Sequence, residues 1–256
     1  SAPCGECFYC KREEYNLCEN LDLLNGAYAE YIVVPERIVQ KNTLIIPNHL
    51  PYHKAAFCEP LANVVHGAER TEIKPNDTVG IIGIGPIGLM FARIAKLKGA
   101  RVIVAGRNKE KLRLAEDFAH ADEIVDLKKS PNPEKIFREF SNQKKGLDVV
   151  VECVGLPEIW ELAFSCVRKG GTVHFFGGCK SGSTVNFDTT KMHYGDIKLM
   201  SVFHHTPKYF RQALDLISSG EVEVEKLITD TLPLDKVEYA MEQHIAGNAI
   251  KFLIKP

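Results

Sequence analysis

From Asp77 onward the chain alternates two hydrophobic patterns. Short β-branched runs of strand length occur at Val79–Ile82, Arg101–Ala105, Glu123–Val125, Leu147–Val151, Thr172–Phe176 and Lys198–Phe203. Between them, near Pro86–Lys98, Lys109–Ala119, Pro133–Asn142 and Leu156–Val167, apolar residues recur with helical period. Strands separated by helices predict right-handed crossovers and an α/β fold, a doubly wound parallel sheet of six strands. Outside this region the pattern changes. Gly26–Pro35 alternates like a strand, and Thr43–Ile46 reads as another short one. Pro207–Ser219 reads as a helix closed by Gly220, followed by a strand near Leu227–Leu232, a helix from Asp235 as N-cap to Ala246, and a last strand at Ala249–Ile254.

The first strand runs into Gly83, Gly85 and Gly88, in G-x-G-x-x-G spacing, and then into the first helical pattern, which Gly99 is placed to end. In that setting each glycine has a task. Gly83 permits a tight turn, Gly85 lets backbone amides approach a pyrophosphate, and Gly88 lets the helix pack on the strand. The helix N-terminus then presents its positive end to phosphate. The end of the second strand bears on which dinucleotide is bound. An Asp or Glu there would hold a ribose 2′-OH. This chain has Gly106 followed by Arg107, with Lys109, Lys111 and Arg113 close behind. A guanidinium without a neighbouring carboxylate suits a 2′-phosphate, so NADP is expected over NAD, with a plain solvated basic face as the bland alternative.

Composition narrows the function classes. The 256 residues carry a formal net charge of −1 and are 45% hydrophobic, so no basic excess points to nucleic acid or a membrane surface. No apolar run approaches the roughly 20 residues that span a bilayer. Four of the eight cysteines crowd into the first eighteen residues and the rest scatter through apolar segments, which predicts a reducing, cytoplasmic setting rather than disulfides. Cys4, Cys7, Cys10 and Cys18 form C-x2-C-x2-C-x7-C, which can close a tetrahedral thiolate shell around a structural zinc. A ferredoxin-type cluster calls for a different spacing, and Glu6, Glu13, Glu14 and Glu19 offset the nearby Lys11 and Arg12, against a nucleic-acid module. Glu59 precedes Pro60 at a helix entrance, where the helix dipole stabilises a carboxylate whatever else it does. His66, on the same helical face as Glu59 and Asn63, is read as a core histidine.

These features resemble the zinc-containing medium-chain alcohol dehydrogenases, most closely the sorbitol (iditol) dehydrogenase branch. The residues that carry the resemblance are the four-cysteine lobe, Gly26-Ala-Tyr-Ala-Glu-Tyr, Glu59-Pro-Leu, the glycine motif, Asp148-x-x-x-Glu-Cys-x-Gly155 and the closing Lys251-Phe-Leu-Ile-Lys-Pro. The resemblance implies a GroES-like, β-rich catalytic domain at 1–56 and 206–256 around a Rossmann domain at 57–205. It implies a zinc Lewis acid and hydride transfer between a nicotinamide and a secondary alcohol, polyol or matching ketone. Gly85, Pro86, Ile87 and Gly88 would meet the pyrophosphate, and Gly106, Arg107 and Lys111 the adenosine ribose and its phosphate. Val154, Gly177, Gly178, Val202 and Phe203 would line the nicotinamide end. His204 and His205 fall where the family has substrate-facing residues, though adjacent histidines at a strand end equally suit a surface. A homo-oligomer, dimer or tetramer, through the edge of the Rossmann sheet is also implied.

The chain departs from the family at one point. Its Cys-Gly-(Ser/Thr)-Asp and Gly-His-Glu motifs, which carry catalytic-zinc ligands, do not occur, and of that ligand set Glu59 alone has a counterpart. The expectation is an active parent of which this chain is an inactive fragment. The main rival is a non-catalytic NADP-binding zinc protein. The zinc-free quinone reductase branch ranks below it, because that branch lacks the cysteine lobe.

Overall fold

The computed structural model describes all 256 residues, which divide into two compact units, Ser1–His66 with Phe203–Pro256 and Gly67–Val202. The boundaries expected from the sequence fall at 56/57 and 205/206. In chain order, the helices α1 (Glu36–Asn42), α2 (Tyr52–Ala55) and α3 (Cys58–Arg70) come first. The alternating region follows as β1 (Thr78–Ile82), α4 (Pro86–Leu97), β2 (Arg101–Gly106), α5 (Lys109–Asp117), β3 (Glu123–Asp126), α6 (Pro133–Phe140), β4 (Leu147–Glu152), α7 (Pro157–Cys166), β5 (Val167–Phe175), α8 (Thr189–Tyr194) and β6 (Lys198–Met200). The chain closes with α9 (Pro207–Ser218), β7 (Ile228–Pro233), α10 (Val237–Ile245) and β8 (Lys251–Lys255). The short helices α1, α2 and α8 have no counterpart among the expected ones.

The second unit is the doubly wound sheet. Its six strands lie in the order β3-β2-β1-β4-β5-β6, every pairing parallel. A central strand of such a sheet is covered on both faces, and all five residues of β1 are buried. Phe91, Phe118 and Phe137 are among the largest side chains wholly enclosed around it. Burying an Ile or Phe of this kind stabilises by about 1.5–3 kcal/mol each. Asp148 ties the lower end of the sheet together, accepting from the Thr78 amide at 2.7 Å and from Arg168 Nε at 2.6 Å.

Four expectations are corrected. Gly26–Pro35 and Thr43–Ile46 are not strands, and Tyr31, Val33 and Ile45 are 91%, 90% and 94% exposed. Alternation marks a face, but a strand also needs a neighbour for its amides and carbonyls, and no segment of the chain pairs with either. β6 stops at Met200 rather than Phe203. Its partner β5 offers a ladder only over Thr172–His174, because the Phe176 and Gly177 amides turn to the Glu152 carbonyl. Asp235 is no N-cap, since Leu234–Lys236 forms a 3₁₀ turn and α10 begins at Val237 with no side-chain cap. In the first unit, β7 and β8 form only a two-stranded parallel ribbon.

Candidate functional site

The glycine turn folds for reasons that can be read atom by atom. Gly83 has φ +112°, which a residue with a Cβ rarely adopts. Gly88 sits in the first turn of α4, and a Cβ on it would stand 1.9 Å from the Gly83 carbonyl oxygen. A Cβ on Gly85, by contrast, would meet nothing within 4 Å, so the backbone there is open to a ligand. Pro86 occupies the first helical position, and the first-turn amides of Ile87 and Gly88 have no carbonyl to pair with inside the helix.

These residues border a cavity at the carboxyl edge of the sheet. Of the expected cofactor residues, Gly83, Gly85, Gly106, Arg107, Lys111 and Val154 line it. Sequence reasoning missed the apolar wall of Ile84, Leu127 and Ile159 and the polar Asn108. Asn108 did leave a signal, as a good N-cap just after a strand, and it accepts from the Glu110 and Lys111 amides to start α5. A Cβ on Gly106 would lie 2.3 Å from the Ile84 side chain, which would have to shift to admit it. Arg107 is exposed, and burial pushes the Lys111 ammonium below its usual pKa.

Val154, Gly155, Gly177 and Gly178 meet at the ends of β4 and β5. A Cβ on Gly155 would be 2.5 Å from the Gly178 carbonyl oxygen, and one on Gly177 would be 2.4 Å from the Gly155 amide nitrogen. Beneath them lies Glu152, which is wholly buried. Its Oε1 accepts from the Val154 amide at 2.6 Å and the Gly155 amide at 2.8 Å. Burial pushes its carboxyl pKa up, against the opposing pull of those amides. Trp160 Nε1 donates to the Gly177 carbonyl at 3.0 Å from the other side. Gly177, Gly178, Val202, Pro86, Ile87 and Gly88 do not line the cavity itself. Phe203 belongs to the other unit and is 65% exposed.

In the first unit the four cysteines converge, all four sulfurs lying within 4.8 Å of one another. The Cys4–Cys10 and Cys7–Cys18 Sγ separations are 3.9 and 4.0 Å, close to the edge of a tetrahedron with Zn–S bonds of about 2.3 Å. The Ala2–Asp22 bridge closes the loop that holds them. Backbone amides of Glu6 and Cys7 point at the Cys4 sulfur, and that of Cys4 at the Cys18 sulfur. Those amides hold the Cys4 thiol pKa down at about 6, the thiolate a metal requires, whereas burial pushes Cys10 up to about 12. The donor set and its spacing fit a structural zinc.

A second group forms in the same unit. Glu59, His204 and His205 bring one carboxylate oxygen and two ring nitrogens within 4.8 Å of one another. The expectation that both histidines could lie on the surface is corrected, because His205 is 2% exposed and His204 half-buried. Burial, helped by the neighbouring His204, lowers the His205 pKa to about 3. His66 is the core histidine expected, 3% exposed, stacked on Tyr209 and hydrogen-bonded through Nδ1 to the His204 carbonyl at 2.6 Å.

Comparison with known proteins then gives the following. The family described as zinc-binding dehydrogenase matches residues 86–219, and the alcohol dehydrogenase GroES-like domain matches residues 1–47. A D-arabitol-phosphate dehydrogenase of Enterococcus avium is 32% identical over 98% of this chain and 71% of its own length. The sorbitol dehydrogenase of Bacillus subtilis (strain 168) is 30% identical over 99% of this chain and 71% of its own. A crystal structure from Sinorhizobium meliloti 1021, designated a zinc-binding dehydrogenase and bound to NADP, superposes with a TM-score of 0.91 at 32% identity, covering 99% of this chain and 74% of that one.

Proposed function

The chain belongs to the zinc-containing medium-chain alcohol dehydrogenases, in the sorbitol dehydrogenase-like branch, and on that premise we propose that it serves hydride transfer between NADP(H) and a secondary alcohol of a polyol, or the matching ketone. The observation that carries the cofactor side is the strand end Gly106-Arg107 beside the open backbone of Gly85. The first-turn amides of α4 bind the pyrophosphate. Arg107 grips the 2′-phosphate, with Lys111 as a second cation, and β2 itself ends in Gly106 rather than in a carboxylate that would repel it. Glu152 fixes the Val154–Gly155 loop, which with Gly177 and Gly178 positions the nicotinamide end. Val202 and Phe203 are assigned to that end by resemblance.

Cys4, Cys7, Cys10 and Cys18 hold a structural zinc and leave it no open position for substrate. Glu59 occupies the position of a catalytic-zinc ligand, and Asn63 Nδ2 orients its Oε1 at 2.8 Å. Zinc held there supplies the Lewis acidity that lowers the pKa of an alcohol, while the nicotinamide supplies the hydride acceptor. We assign the chain, by the same resemblance, to a cytoplasmic homo-oligomer joined along the β6 edge of the sheet.

The test is turnover. Purified protein with NADP and a panel of pentitols and hexitols should reduce the nicotinamide, and the corresponding ketoses should oxidise NADPH, against the expectation of an inactive fragment, because Glu59, His204 and His205 gather metal donors that the sequence alone does not reveal. Binding of NADPH without turnover of any secondary alcohol or ketone would leave a non-catalytic dinucleotide-binding protein instead.

A further inference from the structure

Glu59 is the one residue of the family's catalytic ligand set with a counterpart here, yet it does not stand alone in space. His205 Nε2 lies 3.8 Å from Glu59 Oε1, and His204 completes the group. We propose that Glu59, His204 and His205 hold a divalent zinc-type ion, giving the chain a second metal site built from two imidazoles and one carboxylate. The proposal rests on the reading of Glu59 as a metal-ligand position. It extends that reading by drawing two of three donors from positions the resemblance links to substrate rather than to metal.

The first support is an unmet demand. His205 is 2% exposed, and neither of its ring nitrogens has a hydrogen-bond partner. A buried polar group left unsatisfied is costly, and coordination would answer it directly. The second support is the backbone. His204 has φ +57°, a conformation that side chains with a Cβ seldom take, and the turn is held in place from outside. His66 Nδ1 bonds the His204 carbonyl at 2.6 Å, and Asn16 Nδ2 donates to the Phe203 carbonyl at 2.9 Å.

The donor chemistry selects the metal. Two imidazoles and a carboxylate make up a known catalytic zinc set with one position left open, whereas Mg²⁺ and Ca²⁺ favour all-oxygen shells. Donors on a tetrahedral zinc at about 2.0–2.1 Å stand roughly 3.4 Å apart, so the group needs shifts on the order of 1 Å to close. Glu59 can move, because its side chain is 54% exposed. His204 Nε2 contacts Ser1 Oγ at 2.7 Å, so the ion would take its Nδ1 or displace a neutral hydroxyl. Cys58 does not compete, since its buried thiol donates to the Phe210 carbonyl at 3.1 Å. Glu59 and His205 also line a cavity with Ile38, Cys58, Phe210 and Leu214, which gives a fourth ligand room beside the open position.

The test is metal content, read without any turnover. Elemental analysis after purification and dialysis against a zinc-buffered solution should give two zinc ions per chain. His205→Asn and Glu59→Gln should each give one. A double Cys4→Ser, Cys7→Ser variant should also give one, and its cobalt-substituted form should lack the thiolate charge-transfer band that the lobe contributes. Circular dichroism and NADPH titration check that each variant folds. If His205→Asn is unstable, Glu59→Gln carries the test alone, because Glu59 is largely exposed. One zinc in the wild type, or a second zinc that survives both His205→Asn and Glu59→Gln, overturns the proposal. NADPH binding with one zinc would leave the cofactor reading standing, and two zincs without NADPH binding would do the reverse.

Discussion

Gly88 packs against Gly83 so closely that a Cβ on Gly88 would lie 1.9 Å from the Gly83 carbonyl oxygen. The contact is backbone on one side, so no flexible side chain can give way. Gly88→Ala should therefore push α4 away from the turn. We expect destabilisation of about 1–3 kcal/mol, the usual range for overpacking, together with at least tenfold weaker NADPH binding. Gly85→Ala, with open space around it, should leave the melting temperature nearly unchanged and still weaken NADPH. Differential scanning fluorimetry beside a binding titration separates the two. Equal melting temperatures for wild type and Gly88→Ala would contradict the packing argument.

On the proposed reading, Arg107 discriminates the two cofactors. Arg107→Ala removes a charge-assisted contact worth about 1.5–3 kcal/mol and should weaken NADPH by ten- to a hundredfold, with little change for NADH. A loss of equal size for both cofactors would mean the residue serves the fold or the pyrophosphate instead.

The cysteine lobe has few apolar side chains to bury, and Phe8 is itself 62% exposed. On the structural-zinc reading, the metal adds to the Ala2–Asp22 bridge and the Lys41 contacts in ordering it. Chelation, or Cys7→Ser, should lower the melting temperature of the first unit and raise protease sensitivity near residues 1–20. It should leave NADPH binding by the second unit intact. Limited proteolysis with mass spectrometry reads the first effect, and no change in the cleavage pattern would count against a zinc in the lobe.

Glu152 gives a pH prediction. Its folded-state pKa is raised, with burial the leading cause. A raised folded pKa means that the stability associated with this group is fully present below its unfolded value of about 4.3 and is lost as pH rises through the folded value. Glu152→Gln keeps an oxygen for the Val154 and Gly155 amides and removes the charge. The variant should gain stability relative to wild type as pH rises above that unfolded value, and the two should converge towards pH 4. Glu152→Ala should instead lose stability at every pH, because two amides lose their acceptor. Urea midpoints measured from pH 4 to pH 8 decide this. Parallel curves for wild type and Glu152→Gln would rule out the buried-carboxyl argument.

The sheet was legible in the chain because its strands carry their own evidence. Val79–Ile82 and Leu147–Val151 are continuous apolar runs, as strands buried on both faces must be. The cysteine lobe was equally legible, since its donors are close in sequence. Gly26–Pro35 misled because alternation reports one wet and one dry face but not whether a partner strand exists. The Glu59–His205 approach could not be read at all, since 146 positions separate residues 59 and 205 and only the fold joins them. Glu152 was visible within a motif, but its role depends on burial and on two amides that no spacing reveals.

NADP-linked redox chemistry requires the dinucleotide to reach the nicotinamide end of the sheet. The chain's single tryptophan, Trp160, donates to the Gly177 carbonyl and stacks on Phe175 at 4.1 Å, beside the loops assigned to that end. Titrating NADPH and NADH while following energy transfer from Trp160 to the reduced nicotinamide should give saturable transfer with both. NADPH should bind at least tenfold more tightly. NADH binding as tightly as NADPH would refute the Gly106-Arg107 assignment, and no transfer with either would contradict nicotinamide binding at this site.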